Sequence, residues 1–175
     1  AIGTMSIYPE VRTIFEIGGQ DSKIILIDNG IVTDYAMNTL CAAGTGSFLS
    51  SQAKRLGIPI EEFGNIAITS RKPTKIAARC TVFAESEVIS QLSKGVKKEN
   101  IIAGIHDSIA SRVAGLAKRA GIEDDLVMVG GVADNYGILR AIEEHLGHRI
   151  IVPKNAQLTG ALGAALYAMD IAKKK

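Results

Sequence analysis

Cysteine is scarce in this sequence, with two residues among 175. That is too few for a secreted domain stapled by disulfides, and it points to a reducing cytoplasm. Tryptophan is absent and aromatics make up 5% of the chain, which leaves little surface for stacking single-stranded nucleic acid. Charge of one sign is also lacking: the formal net charge is +2, too weak for a nucleic-acid or membrane-surface partner. No run of about 18 apolar residues occurs, so no helix is expected to span a membrane. The start, Ala1-Ile2-Gly3-Thr4, has neither the basic nor the apolar region of a secretory signal and no initiator Met, as expected of a processed or truncated chain. Internal repeats and low-complexity linkers are missing too.

What is present is an ordinary globular composition, 47% hydrophobic and 22% charged, with 18 glycines placed at the ends of periodic segments. Residues 13–17 and 23–28 read as β-strands separated by Gly18-Gly19. Asn29-Gly30 then suits a type I′ hairpin turn, and 31–37 reads as the return strand. Phe48, Leu49, Ala53 and Leu56 predict a helix over 45–56, ended by Gly57 and Pro59. Residues 59–73 read as irregular and 76–78 as a short strand. Helices are expected at 82–92 and at 100–120, where Ile101, Ile105, Ile109, Val113 and Leu116 make an apolar stripe. The wholly apolar run 126–129 predicts a buried strand. A helix at 135–146, a strand at 149–152 and an Ala-rich helix at 157–171 complete an α/β chain with helices against a sheet.

Three constellations carry chemistry. The first is Glu16-Ile17-Gly18-Gly19-Gln20-Asp21-Ser22-Lys23. Its glycines let backbone N–H groups approach an anion, and Ser22 adds a hydroxyl donor. Glu16, Gln20 and Asp21 can hold a hydrated magnesium ion or orient an attacking water. A plain polar hairpin is the competing reading. The second, Val127-Met128-Val129-Gly130-Gly131-Val132-Ala133-Asp134-Asn135, sets a glycine pair where a buried strand meets a helix. Nucleotides bind at such places in open α/β sheets, although the spacing fits neither a dinucleotide fingerprint nor a P-loop. An ordinary βα turn is the alternative. The third is Cys41 and Cys80, each just ahead of a helix start, where the helix dipole favours thiolate. Two buried, inert thiols are the other reading. If both are ligands, a four-thiolate cluster needs two more from a second copy of the chain.

In order along nearly the whole chain, five strings resemble the BadF/BadG/BcrA/BcrD group, the activator ATPases of 2-hydroxyacyl-CoA dehydratases and benzoyl-CoA reductases. They are residues 17–23, the cysteine strings Cys41-Ala42-Ala43-Gly44-Thr45-Gly46 and Ala78-Arg79-Cys80-Thr81-Val82-Phe83, the second glycine pair with Val132 and Asn135, and residues 157–165. The cysteine strings are the specific ones.

The resemblance implies an actin-like ATPase fold, that of the acetate and sugar kinase, heat-shock chaperone and actin superfamily. The expected unit is a ribonuclease H-like lobe with a mixed sheet and flanking helices. It implies ATP or ADP with Mg, held by Gly18, Gly19, Gln20, Ser22 and Lys23 as the second phosphate motif. Gly130, Gly131, Val132 and Asn135 would form the adenosine motif, with Gln157 close to the nucleotide. Glu16, Gln20 and Asp21 would be catalytic. Cys41 and Cys80 would hold one 4Fe–4S cluster across a homodimer axis, fed by ferredoxin or flavodoxin and delivering electrons to a dehydratase or reductase component. In many relatives an Asp stands where this chain has Glu16. The family's first phosphate loop has no match here, so the chain is expected to be the C-terminal part of such a protein and, alone, to bind and hydrolyse ATP poorly. Two other classes stay open: a small-molecule kinase of the same superfamily, with Asp21 or Glu85 as base, and a non-catalytic ATP-binding regulator.

Overall fold

The fold was obtained as a computed structural model, which describes residues 1–38, 45–76 and 81–174, with Thr81 and Val82 described by their backbone. Five strands form one mixed sheet: β1 (Thr13–Ile17), β2 (Ser22–Asp28), β3 (Ile31–Asn38), β4 (Leu126–Val129) and β5 (Ile150–Ile151), in the order β3-β2-β1-β4-β5. β1, β2 and β3 are antiparallel neighbours, whereas β4 lies parallel to β1 and β5 parallel to β4. Asn29 and Gly30, with φ of 49° and 75°, make the hairpin between β2 and β3. Both residues are left-handed there, as the type I′ turn requires.

Seven helices are described: α1 (Ile2–Ile7), α2 (Gly46–Leu56), α3 (Ile60–Ala67), α4 (Thr81–Ser93), α5 (Lys98–Ala120), α6 (Tyr136–Leu146) and α7 (Thr159–Lys173). α5 is the backbone of the main layer. Its Ile101, Ile102, Ile105, Ile109 and Val113 pack with Phe15, Ile17, Ile24 and Met128 from the sheet in one apolar core. Lys118 and Arg119 stand in its last turn, beside the carbonyl end of the dipole, and Gly121 at φ 81° ends it. The opposite face of the sheet carries a smaller cluster of Val11, Ile14, Ile27, Val127 and Val129. There α1 crosses α7 so closely that a Cβ on Gly3 would lie 2.1 Å from the carbonyl oxygen of Thr159.

Residues 60–67, expected to be irregular, form α3. Two acidic residues, Glu61 and Glu62, sit in its first turn after Pro59, and both features favour a helix start. The strand expected at 76–78 falls largely outside the described residues. The last helix begins two residues later than expected, because a 3₁₀ turn occupies Ala156–Leu158.

Candidate functional site

β1 and β4 are parallel neighbours in the register Glu16↔Val129, so the chain leaves both strands at the same sheet end. Two glycine loops more than a hundred residues apart therefore meet. They open onto a cleft of about 980 Å³ lined by Gly18 and Gly19 from the first loop and Gly131, Val132 and Asn135 from the second. Gly46, Ser47 and Lys54 of α2, Glu61 and Gly64 of α3, and Gln157 close its sides. The crevice beyond the carboxyl ends of parallel strands is where open α/β sheets bind ligands.

Each loop is shaped by specific contacts. The Gly18 N–H donates to the Asp21 carbonyl at 3.0 Å, closing a tight turn. The carbonyls of Gly18 and Gly19 accept the N–H groups of Gly46 and Ser47, both at 2.9 Å, and Gln20 Nε2 donates to Ser47 Oγ at 3.4 Å. The first loop is thus fastened to the start of α2, and two of that helix's otherwise unpaired donors are used. A Cβ on Gly46 would lie 3.1 Å from Val132 Cγ2, so the second loop touches the same place. Gly130 has φ 94°, and a Cβ there would lie 2.3 Å from the Ile17 carbonyl oxygen. Its N–H donates to Ala156 O at 3.1 Å, which ties the loop to the segment carrying Gln157. Asn135 caps α6, its side chain accepting from Ile138 N at 3.0 Å.

Of the residues singled out from sequence, Gly18, Gly19, Gly131, Val132, Asn135 and Gln157 share the cleft lining. Gly130 stands behind it as the turn that lets the others converge. Glu16 lies elsewhere. The two-residue period of β1 sends Phe15 and Ile17 into the main core and Glu16 to the other face, beside a second hollow of about 480 Å³ bordered by Thr4, Val129 and Thr159. Lys23 Nζ joins Glu16 Oε2 at 2.8 Å and Asp21 Oδ1 at 2.9 Å. Burial opposes the Lys23 charge, but hydrogen bonds to both carboxylates and their charges outweigh it and hold its pKa above the ordinary lysine value. Ser22 is buried in β2, where its backbone pairs with Ile17 and Asn38. Glu85, the other candidate base, is ion-paired with Arg55 of α2 and is not on the cleft lining.

Cys41 and Cys80 lie outside the described residues; α2 begins five positions after the first and α4 immediately after the second. Among the described residues no group of three or more His, Cys, Asp or Glu is placed to hold a metal ion, and no helix is long and apolar enough to cross a membrane.

Sequence reasoning did not single out Lys54, Glu61 or Asn65, all on the lining. Glu61 and Asn65 belong to α3, whose helical character was the signal that would have found them. Lys54 was visible only as a solvent-facing position of α2.

The chain is similar to solved and curated proteins over nearly its whole length. The solved activator of the 2-hydroxyisocaproyl-CoA dehydratase from Clostridium difficile, with bound ADPNP, is 53% identical and superposes with a TM-score of 0.95 over 99% of this chain and 65% of its own. The (R)-2-hydroxyglutaryl-CoA dehydratase activating ATPase of Acidaminococcus fermentans is 54% identical over 99% of this chain and 67% of its own length. The chain thus spans about two thirds of the length of these relatives. The ethanolamine utilization protein EutJ from Carboxydothermus hydrogenoformans shares the fold at a TM-score of 0.56 and 20% identity, covering 94% of this chain and 52% of its own. The sheet and helices are those of an actin-like ATPase lobe. The model of the BadF/BadG/BcrA/BcrD ATPase family matches residues 1–168, and the chain belongs to that family.

Proposed function

We propose that this chain is the nucleotide-binding and cluster-bearing part of an ATP-dependent activator that passes low-potential electrons to a 2-hydroxyacyl-CoA dehydratase or a related CoA-ester reductase in the cytoplasm. One observation carries the nucleotide half: two glycine loops converge at the ends of β1 and β4 on a single cleft of about 980 Å³. Two relatives named for activating acyl-CoA dehydratases, one of them holding ADPNP, support the nucleotide and the dehydratase partner.

In this reading Gly18 and Gly19 border the phosphates, while Gly131, Val132, Asn135 and Gln157 border the nucleoside. Lys23 pairs with Asp21, which with Gln20 orients a hydrated magnesium ion or an attacking water, while Glu16 only anchors Lys23 from the other face of the sheet. Cys41 and Cys80, with the same pair from a second copy, would hold one 4Fe–4S cluster, which when bound supplies the low-potential electron. A ferredoxin or flavodoxin would reload it. The chain's own residues link the two functions. The first glycine loop is hydrogen-bonded to the start of α2, and α2 is ion-paired through Arg55 to Glu85 in the first turns of α4. A shift of the loop on loss of a phosphate contact is therefore carried to both helices that follow the cysteines.

The test separates the halves. Gly131→Val finds room within the protein, since a Cβ there has no neighbour nearer than 3.8 Å. It should keep the fold and weaken ADPNP binding by more than about tenfold, as read by titration calorimetry. Unchanged affinity would place the nucleotide elsewhere. After anaerobic incubation with iron and sulfide, Cys41→Ala and Cys80→Ala should each lose bound iron and the cluster's visible absorption. A variant that keeps both refutes the ligand assignment.

A further inference from the structure

The cleft walls are mostly glycine, serine and other polar residues, and two side chains stand out from them. Of the large apolar residues on the lining, Leu49 and Val132 are buried, whereas Ile60 and Tyr136 are 37% and 48% exposed. Apolar surface left open inside a cleft favours whatever covers it. Among the described residues no aromatic ring stacks on Tyr136.

Both side chains come from helix starts that packing brings together. Ile60 opens α3 and Tyr136 opens α6. The two helices meet at backbone contact: a Cβ on Gly137 would lie 2.7 Å from the Gly64 carbonyl oxygen. Tyr136 is the neighbour of Gly137. Ile60 precedes Gly64 by four residues, so it stands one turn away on the same face of α3. The junction is braced from behind. Asn135 Oδ1 accepts from Ile138 N at 3.0 Å and faces Nε2 of His106 at 3.1 Å. His106, on α5, is 2% exposed, and burial lowers the basicity of its imidazole against the hydrogen bonds to Ile102 and Asn135 that raise it.

The chemistry of the cleft is thus divided. Backbone N–H groups of glycine loops suit phosphates. An aromatic ring and a branched alkyl group suit a flat, weakly hydrated face, and of the three parts of a nucleotide only the base has one. We propose that Tyr136 and Ile60 are the base-gripping residues of the cleft, with Tyr136 stacking on the base, and that this contact makes the cleft take purine nucleotides in preference to pyrimidine ones. The two fused rings of a purine cover more of Tyr136 than a single ring does. The inference rests on the nucleotide reading of the cleft and adds what selects the base.

Titration calorimetry of the full chain with ADPNP and with its uridine counterpart tests it. The unmodified chain should bind ADPNP about tenfold more tightly than the uridine compound. Tyr136→Ser changes a half-exposed position, so the fold should be kept. It should weaken ADPNP about tenfold and bring the two ligands to similar affinity. Ile60→Ser should act in the same direction. Tyr136→Phe keeps the ring and should recover most of the affinity and of the preference. Equal binding of the two ligands by the unmodified chain, Tyr136→Ser with its preference intact, or Tyr136→Phe as weak as Tyr136→Ser overturns the stacking role. Failure of the unmodified chain to bind either ligand overturns the nucleotide reading beneath it.

Discussion

Gly130 shows how much a single position can carry. Its φ of 94° is one that L side chains rarely adopt, and a Cβ would lie 2.3 Å from the Ile17 carbonyl. Gly130→Ala should therefore cost about 2–4 kcal/mol, combining the strained backbone with a forced separation of β1 from the second loop. Urea unfolding should show the loss, and ADPNP binding should fall with it, because the same turn leads Gly131 to the cleft that Gly18 also lines.

His106 makes the acid limb of stability predictable. Its pKa lies below the ordinary 6.5, so on acidification the unfolded chain takes the proton first. Its contribution to stability is present above that ordinary value and is lost as pH falls below it. The urea midpoint should drop over that interval, and His106→Phe should flatten the drop. Lys23 has the opposite sign. Its raised pKa contributes stability that is present below the ordinary 10.5 and is lost as pH climbs through the folded value. Its side chain and that of Glu16 are about 30% exposed, at 31% and 30%, so solvent screens the pair. Lys23→Met should change stability at neutral pH by less than about 1 kcal/mol. In the proposed function its larger effect is on the magnesium dependence of nucleotide binding, since it leaves Asp21 unpinned.

Among the elements, α2 is the one the two loops share, and α1 and α7 cross at backbone contact. Gly3 and Gly163 meet there: a Cβ on Gly163 would lie 2.8 Å from Gly3 N. Gly3→Leu has no space and should push α1 off α7, destabilising the chain by about 1–3 kcal/mol in urea unfolding. α3 is the element that periodicity did not reveal. It is eight residues long and buries only Phe63, Gly64 and Ala67, a stripe too narrow to stand out in the mixed polarity of the segment that follows Pro59. The longer elements were legible because their burial is regular. β4 is apolar throughout since both its faces are covered, and α5 repeats Ile101, Ile105, Ile109, Val113 and Leu116 along one side for about four turns.

For the molecule as a whole, one mixed sheet divides two unequal layers, and the cleft opens where the larger layer meets the sheet's edge of parallel strand ends. The strand order β3-β2-β1-β4-β5 puts the antiparallel meander on one side and the parallel pair on the other, with β1 as the hinge between both patterns. In the proposed function this placement gives β1 both jobs: its last residues start the phosphate loop, and its pairing with β4 brings up the nucleoside loop.

The amino-acid order by itself determined the strands, the long helices, the type I′ turn and the glycines that end the elements, because these follow from local periodicity and from backbone angles that few residue types adopt. It also carried the family likeness through strings that each lie within a few residues. Only the tertiary structure decided which of those strings meet. The pairing of β1 with β4 joined loops far apart in the chain, the two-residue alternation of β1 sent Glu16 to the opposite face, and the approach of α3, α5 and α6 set His106 against Asn135. Such choices depend on hydrogen bonds and burial between distant segments, and no window of sequence contains both partners.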